Sequence, residues 1–151
     1  MKKLLYVFLL ILCYACEEDK SIDPTLMPEA TTTGENTLGC LIDGWVYTAG
    51  RFGSPEVRVR NDEENHYIDI EAQIDRFSDL HFTLVNPQQG ATCTYTNVVF
   101  DQERLPDGEA HITRMDGSVI SGTFSGGNIR EGRFDIRYQG ESEGDGGNVV
   151  Y

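Results

Sequence analysis

Ile68-Asp69-Ile70-Glu71-Ala72-Gln73-Ile74-Asp75 changes from apolar to polar at every step. Successive side chains of a β-strand point to opposite faces, so this run makes one dry face and one wet face. Wound as a helix, the same residues would scatter their apolar groups around the axis. The period recurs on both sides of the run. Leu80, Phe82 and Leu84 alternate with His81 and Thr83, and Val57 and Val59 with Arg58 and Arg60. Phe134, Ile136 and Tyr138 alternate with Arg133, Asp135 and Arg137. The segment Cys93–Phe100 is rich in Thr, Tyr and Val, which suit a pleated surface. Its alternation slips near Asn97, which predicts a bulge or bend there.

Asp43-Gly44 lies between Cys40-Leu41-Ile42 and Trp45-Val46-Tyr47, and Asp116-Gly117 between Ile112–Met115 and Ser118-Val119-Ile120. Asp-Gly between strand-like runs predicts a hairpin on a type I′ turn, with positive φ at both central residues. Breaks rich in Gly, Pro, Asn or acid fall at 61–65, 87–90, 106–108 and 125–128. No segment carries a helical period. The reading is all-β, with eight or nine short strands in one antiparallel β-sandwich or flattened β-barrel.

The amino end reads as an address. Lys2 and Lys3 precede an apolar run, Leu4–Leu12, too short for a membrane-spanning helix, which needs ~20 residues. Cys13-Tyr14-Ala15-Cys16 then fits a lipobox, with Cys13 standing where Leu is commoner. Residues 1–15 are read as a lipoprotein signal peptide and Cys16 as the lipidated residue. Several acyl chains on one cysteine anchor far more firmly than one. The acidic Glu17-Glu18-Asp19-Lys20 resembles the signal that sends lipoproteins of Bacteroides-like bacteria to the cell surface. The expected location is therefore the outer membrane, exposed at the surface, the alternative being a periplasm-facing position. Residues 16–38, with Pro24, Pro28 and Thr31-Thr32-Thr33, read as a flexible tether. The β domain follows over 39–138, then a Gly- and acid-rich tail over 139–151, whose Val149-Val150-Tyr151 either adds an edge strand or dangles.

Net charge is −13, and falls to about −15 when Lys2 and Lys3 leave with the signal. This balance disfavours nucleic acid and anionic membrane surfaces as partners, because both would repel it, and no nucleic acid partner is expected. Cys40 and Cys93 stand 53 residues apart, either as a disulfide adding ~4 kcal/mol through loop closure or as two free thiols.

Chemical motifs are sparse. His66, His81 and His111 have no metal-ligand spacing, and no phosphate-cradling glycine loop or Gly-x-Ser-x-Gly occurs. Asp62-Glu63-Glu64 and Glu141 to Asp145 match no calcium loop, so no metal and no cofactor is expected. Trp45, Tyr47, Phe52, Tyr67 and Tyr95 form a candidate binding patch for a glycan or a protein.

The blocks Pro28–Thr31, Gly34–Thr37 and Leu38-Gly39-Cys40-Leu41-Ile42-Asp43-Gly44 resemble the opening of a family of small lipoproteins of Bacteroides-like bacteria. Ile120-Ser121-Gly122-Thr123-Phe124 and Gly132-Arg133-Phe134-Asp135-Ile136 resemble that family's close. The resemblance frames residues 28–138 and implies one extracytoplasmic β domain, with no catalytic residues to carry over. The tail after Tyr138 departs from its pattern.

Three functions follow as expectations. The first is a non-enzymatic binding or accessory module, membrane-held through Cys16. The second is a small hydrolase using scattered Asp, Glu and His. The third is a carrier of hydrophobic small molecules. A filled core with an exposed aromatic strip favours the first, a pocket of convergent His and carboxylate the second, and an open apolar interior the third.

Overall fold

The computed structural model describes residues 26–50 and 53–139. The alternating runs form strands, ten in all among the described residues. They are β1 (Thr37–Ile42), β2 (Trp45–Thr48), β3 (Glu56–Asn61), β4 (His66–Gln73), β5 (Asp79–Val85), β6 (Thr92–Phe100), β7 (Glu103–Arg104), β8 (Gly108–Met115), β9 (Val119–Gly126) and β10 (Ile129–Arg137). All join one antiparallel sheet in the order β2-β1-β10-β9-β8-β6-β5-β4-β3, with short β7 beside β6.

Chain length forces this sheet to curl. β2 and β3 are consecutive in sequence yet form its opposite edges, joined only through residues 49–55. Such a connection spans at most ~28 Å. Nine strands laid flat would separate those edges by ~38 Å. The sheet therefore bends into a half-barrel. Tyr47 of β2 meets Phe100 of β6 edge-on with ring centroids 5.0 Å apart, although four strands separate β2 from β6 in the sheet.

The inward face is the apolar half of the alternation. Ile68, Ile70 and Ala72 of β4 and Leu80, Phe82 and Leu84 of β5 are buried, with Leu38, Cys40 and Ile42 of β1. Phe82, Tyr95, Phe124 and Phe134, from four strands, fill the middle with ring centroids 4.8–6.3 Å apart. The interior is packed with side chains.

The hairpin at Asp43-Gly44 has the expected positive φ at both residues, 51° and 85°. The second hairpin differs. Gly117 has φ 83° but Asp116 does not adopt positive φ. Its carboxylate instead accepts the Ser118 and Val119 amides at 3.1 and 3.0 Å, which stabilises a three-residue connection. The slip near Asn97 is a bulge. Asn97 has φ 52°, and the β5–β6 register shifts between His81 and Thr83.

Residues 28–36, which composition reads as tether, lie against the outward face of β9 and β10. Asp135 holds them there. Its carboxylate accepts the amides of Thr33, Gly34 and Glu35 at 2.9–3.1 Å and the hydroxyls of Thr31 and Ser121 at 2.5 and 2.6 Å. Asp135 is 1 % exposed, and not on a wet face as its place in the alternation suggests. Gly34 has φ 78°, and a Cβ there would meet the Arg137 side chain at 2.6 Å. The body thus begins ahead of Gly39. The signal peptide, Cys16, Phe52 and residues 140–151 lie outside the described residues.

Candidate functional site

The outward faces of β3, β4 and β5 carry the polar half of the alternation, and no described segment covers them as residues 28–36 cover β9 and β10. Register aligns these side chains in rows. Glu56, Glu71 and His81 stand side by side, as do Arg58, Asp69 and Thr83. Arg58 sits between Glu56 and Glu71, 3.7 Å from each. Arg60 donates through both Nε and Nη2 to Asp69, and the Thr83 hydroxyl donates to the same carboxylate at 2.6 Å. Burial opposes ionisation of Asp69. The donors Arg60 and Thr83, and the charge of Arg60, outweigh it and hold the carboxyl below the usual range. His81 stands with Nε2 3.9 Å from Asp69 and Nδ1 3.2 Å from the Asn97 carbonyl, so the bulge at Asn97 helps to position the ring.

Two depressions adjoin this face. The larger, about 620 Å³, opens at one end of the sheet between Glu56, Glu71, Gln73, Asp79, Arg137 and Tyr138. The smaller, about 240 Å³, runs beside Glu71, Phe77, Asp79, His81, Asp101 and Gln102. Glu71 and Asp79 line both, so the two lie side by side as one grooved region of the surface. Phe77 rises at its margin with 81 % of its surface exposed, and Arg76 lies over its ring at 5.3 Å. The groove is rich in carboxylates and amides and has an aromatic ring at its edge. Such a surface can accept and donate hydrogen bonds to a hydroxyl-bearing ligand while a ring covers its apolar side.

The structure disperses the aromatic patch expected from sequence. Tyr95 is fully buried in the core, and burial pushes its phenol up to about 12. Tyr47 is half-buried against Phe100. Tyr67 lies near the β3 edge with Arg60 over its ring at 5.4 Å, whereas exposed Trp45 belongs to the other edge strand, β2. Alternation explains the failure. Tyr95 and Tyr67 sit on opposite faces of the sheet, and β2 and β4 are remote neighbours within it. Phe77, in a loop with no periodic signal, was the aromatic that sequence reasoning missed.

Cys40 and Cys93 are free thiols. β10, β9 and β8 lie between their strands in the sheet. Cys40 is sealed in the core, and burial pushes its thiol up to about 12, an unreactive state. Among the described residues no group of three or more His, Cys, Asp or Glu could hold a metal ion. Asp62 spends its carboxylate on its own turn, accepting the Glu64 and Asn65 amides at 2.9 and 2.7 Å. His66 pairs with Asn61, and His111 faces Thr92 at 3.3 Å, both away from the groove.

Comparison with protein-family models, with curated proteins and with solved structures finds no match for this chain.

Proposed function

We propose that this chain is an extracytoplasmic lipoprotein, held to the outer membrane through lipid on Cys16, whose β body is a non-enzymatic module that binds neutral, hydroxyl-rich glycan. On its sequence blocks alone we group it with the small lipoproteins of Bacteroides-like bacteria. The observation that carries the binding reading is the pair of adjacent depressions that share Glu71 and Asp79, with Phe77 exposed at the margin. Carboxylates and amides such as Glu71, Asp79 and Gln102 suit sugar hydroxyls, and their charge disfavours anionic polymers. An exposed ring suits the apolar face of a pyranose. The packed aromatic interior takes support from the carrier reading.

One observation favours the hydrolase alternative, namely His81 at the groove with Asp69 behind it. Against it, Asp69 is engaged by Arg60 and Thr83. Titrating the protein with a panel of neutral oligosaccharides, beside Phe77→Ala and Asp79→Asn, tests the binding reading. Binding by the wild type that both variants lose is expected. Equal binding by Phe77→Ala would move the site elsewhere. Mass spectrometry of the same oligosaccharides after incubation separates the two readings, because cleavage supports the hydrolase. Protease shaving of intact cells, with Cys16→Ala as the unanchored control, tests surface display. Resistance until the outer membrane is opened would assign a periplasm-facing position.

A further inference from the structure

The hold on residues 28–36 is mostly polar. Besides the five donors that converge on Asp135, three arginines from the sheet grip backbone carbonyls of the segment. Arg133 donates to Pro28 O at 3.0 Å, and Arg114 to Thr32 O at 2.5 Å. Arg137 donates to Gly34 O at 2.7 Å and Thr33 O at 3.1 Å. The surfaces are shaped to fit, since a Cβ on Gly39 would meet the Pro28 ring at 2.4 Å. Yet among residues 26–36 only Gly34 is buried, and none of them contributes a side chain to the hydrophobic core. The segment also supplies no strand of the sheet, whose first ladder begins at Thr37.

A unit held mainly by hydrogen bonds, outside both core and ladder, separates from the body while uncovering little apolar surface, chiefly the patch under the Pro28 ring and Val119. Water can replace each of its bonds, including those to the Asp135 carboxylate. We propose that residues 28–36 form a releasable strap, latched by Asp135, that opens and closes on the outward face of β9 and β10 while the sheet stays folded. Opening frees nine residues, which lengthens the chain ahead of the body by ~30 Å. Where the amino end is lipid-anchored, a reading that rests on the function proposed above, the strap then sets how far the groove stands from the membrane. The latch itself does not depend on that reading.

Native-state hydrogen exchange on the full 151-residue chain tests the latch without lipid or ligand. The expected result has two parts. In the wild type, the amides of Thr33, Gly34 and Glu35 exchange through an opening insensitive to low urea, and faster than the β9 and β10 ladder. In Asp135→Asn their exchange rises roughly 10–100-fold, with the ladder amides still protected. Thr31→Ala, which removes one of the five donors, gives a smaller rise at the same three amides. The proposal is overturned if strap and ladder amides of the wild type exchange together with the same urea dependence. It is equally overturned if Asp135→Asn leaves the three amides protected, or fails to fold, since the sheet would then depend on its latch.

Discussion

Asp69 and Asp135 occupy matching places on opposite wings of one sheet. Each is a carboxylate on the outward face, each accepts a hydroxyl from the neighbouring strand, and each is drawn well out of water, at 9 % and 1 % exposure. What lies above them differs. Asp135 is roofed by its own chain and receives three backbone amides. Asp69 is flanked by Arg60, half-exposed, and by His81 at the groove. The same chemical group is a fastening on one wing and part of an open surface on the other. A buried carboxylate is thus weak evidence of a site until its donors are counted. Where the backbone saturates it, it is structural, and where side chains that face solvent surround it, it borders a surface open to a partner.

The comparison breaks most easily at Asp135. Asp135→Asn keeps the shape but places an amide NH₂ among donors, and should cost ~2–3 kcal/mol, lowering the melting temperature by ~10 °C or more. Asp69→Asn should cost only ~1 kcal/mol, because Arg60 regains water. Equal losses in thermal denaturation would erase the distinction. Next in size is Gly34→Ala, expected to cost ~1–2 kcal/mol. It must hold a positive φ and displace the Arg137 side chain, and the loss should appear as strap exposure to protease ahead of any change in the sheet.

Acid sharpens the contrast further. At Asp135 burial disfavours the charge, but Ser121, Thr31 and the Glu35 and Gly34 amides more than offset it, so the folded carboxyl sits below its ordinary range. A carboxyl depressed by folding contributes stability above its unfolded pKa of ~3.9, and that contribution disappears as pH falls through the folded value. Both aspartates share this sign. Melting temperature measured from pH 7 down to 2.5 should therefore fall on the acid side, and Asp135→Asn should flatten that fall more than Asp69→Asn. A steeper fall in either variant would contradict the assignment. The smallest effect belongs to the groove. Phe77→Ala removes an exposed ring and should change stability by no more than ~0.5 kcal/mol, so any loss of glycan binding reports on contact with ligand.

Much of the fold was legible because strand periodicity is local. Ile68, Ile70 and Ala72 faced inward as their alternation required, and Asn97 formed the bulge where that alternation slipped. At Asp116-Gly117 the hairpin formed but its turn type did not follow, because a side-chain cap on the Ser118 and Val119 amides competed with the expected backbone. The candidate site was less legible. Glu71, Asp79 and His81 meet through pairing of β4 with β5, while Arg137 at the end of β10 and Tyr138 just after it reach the same region from far along the chain.

Sequence by itself determined that the body is all-β, which residues of the strictly alternating runs face inward, and where the two Asp-Gly hairpins turn, since these follow from period two and from Asp-Gly chemistry within a few residues. Only the tertiary structure decided that the ten strands curl into a half-barrel, that Tyr95 is core, and that residues 28–36 belong to the body. Those outcomes depend on contacts between residues far apart in sequence, such as Gly34 and Asp135, 101 positions apart. Composition marks such a segment as too polar to build a core. It carries no sign of a single carboxylate, waiting on another strand, with room for five donors.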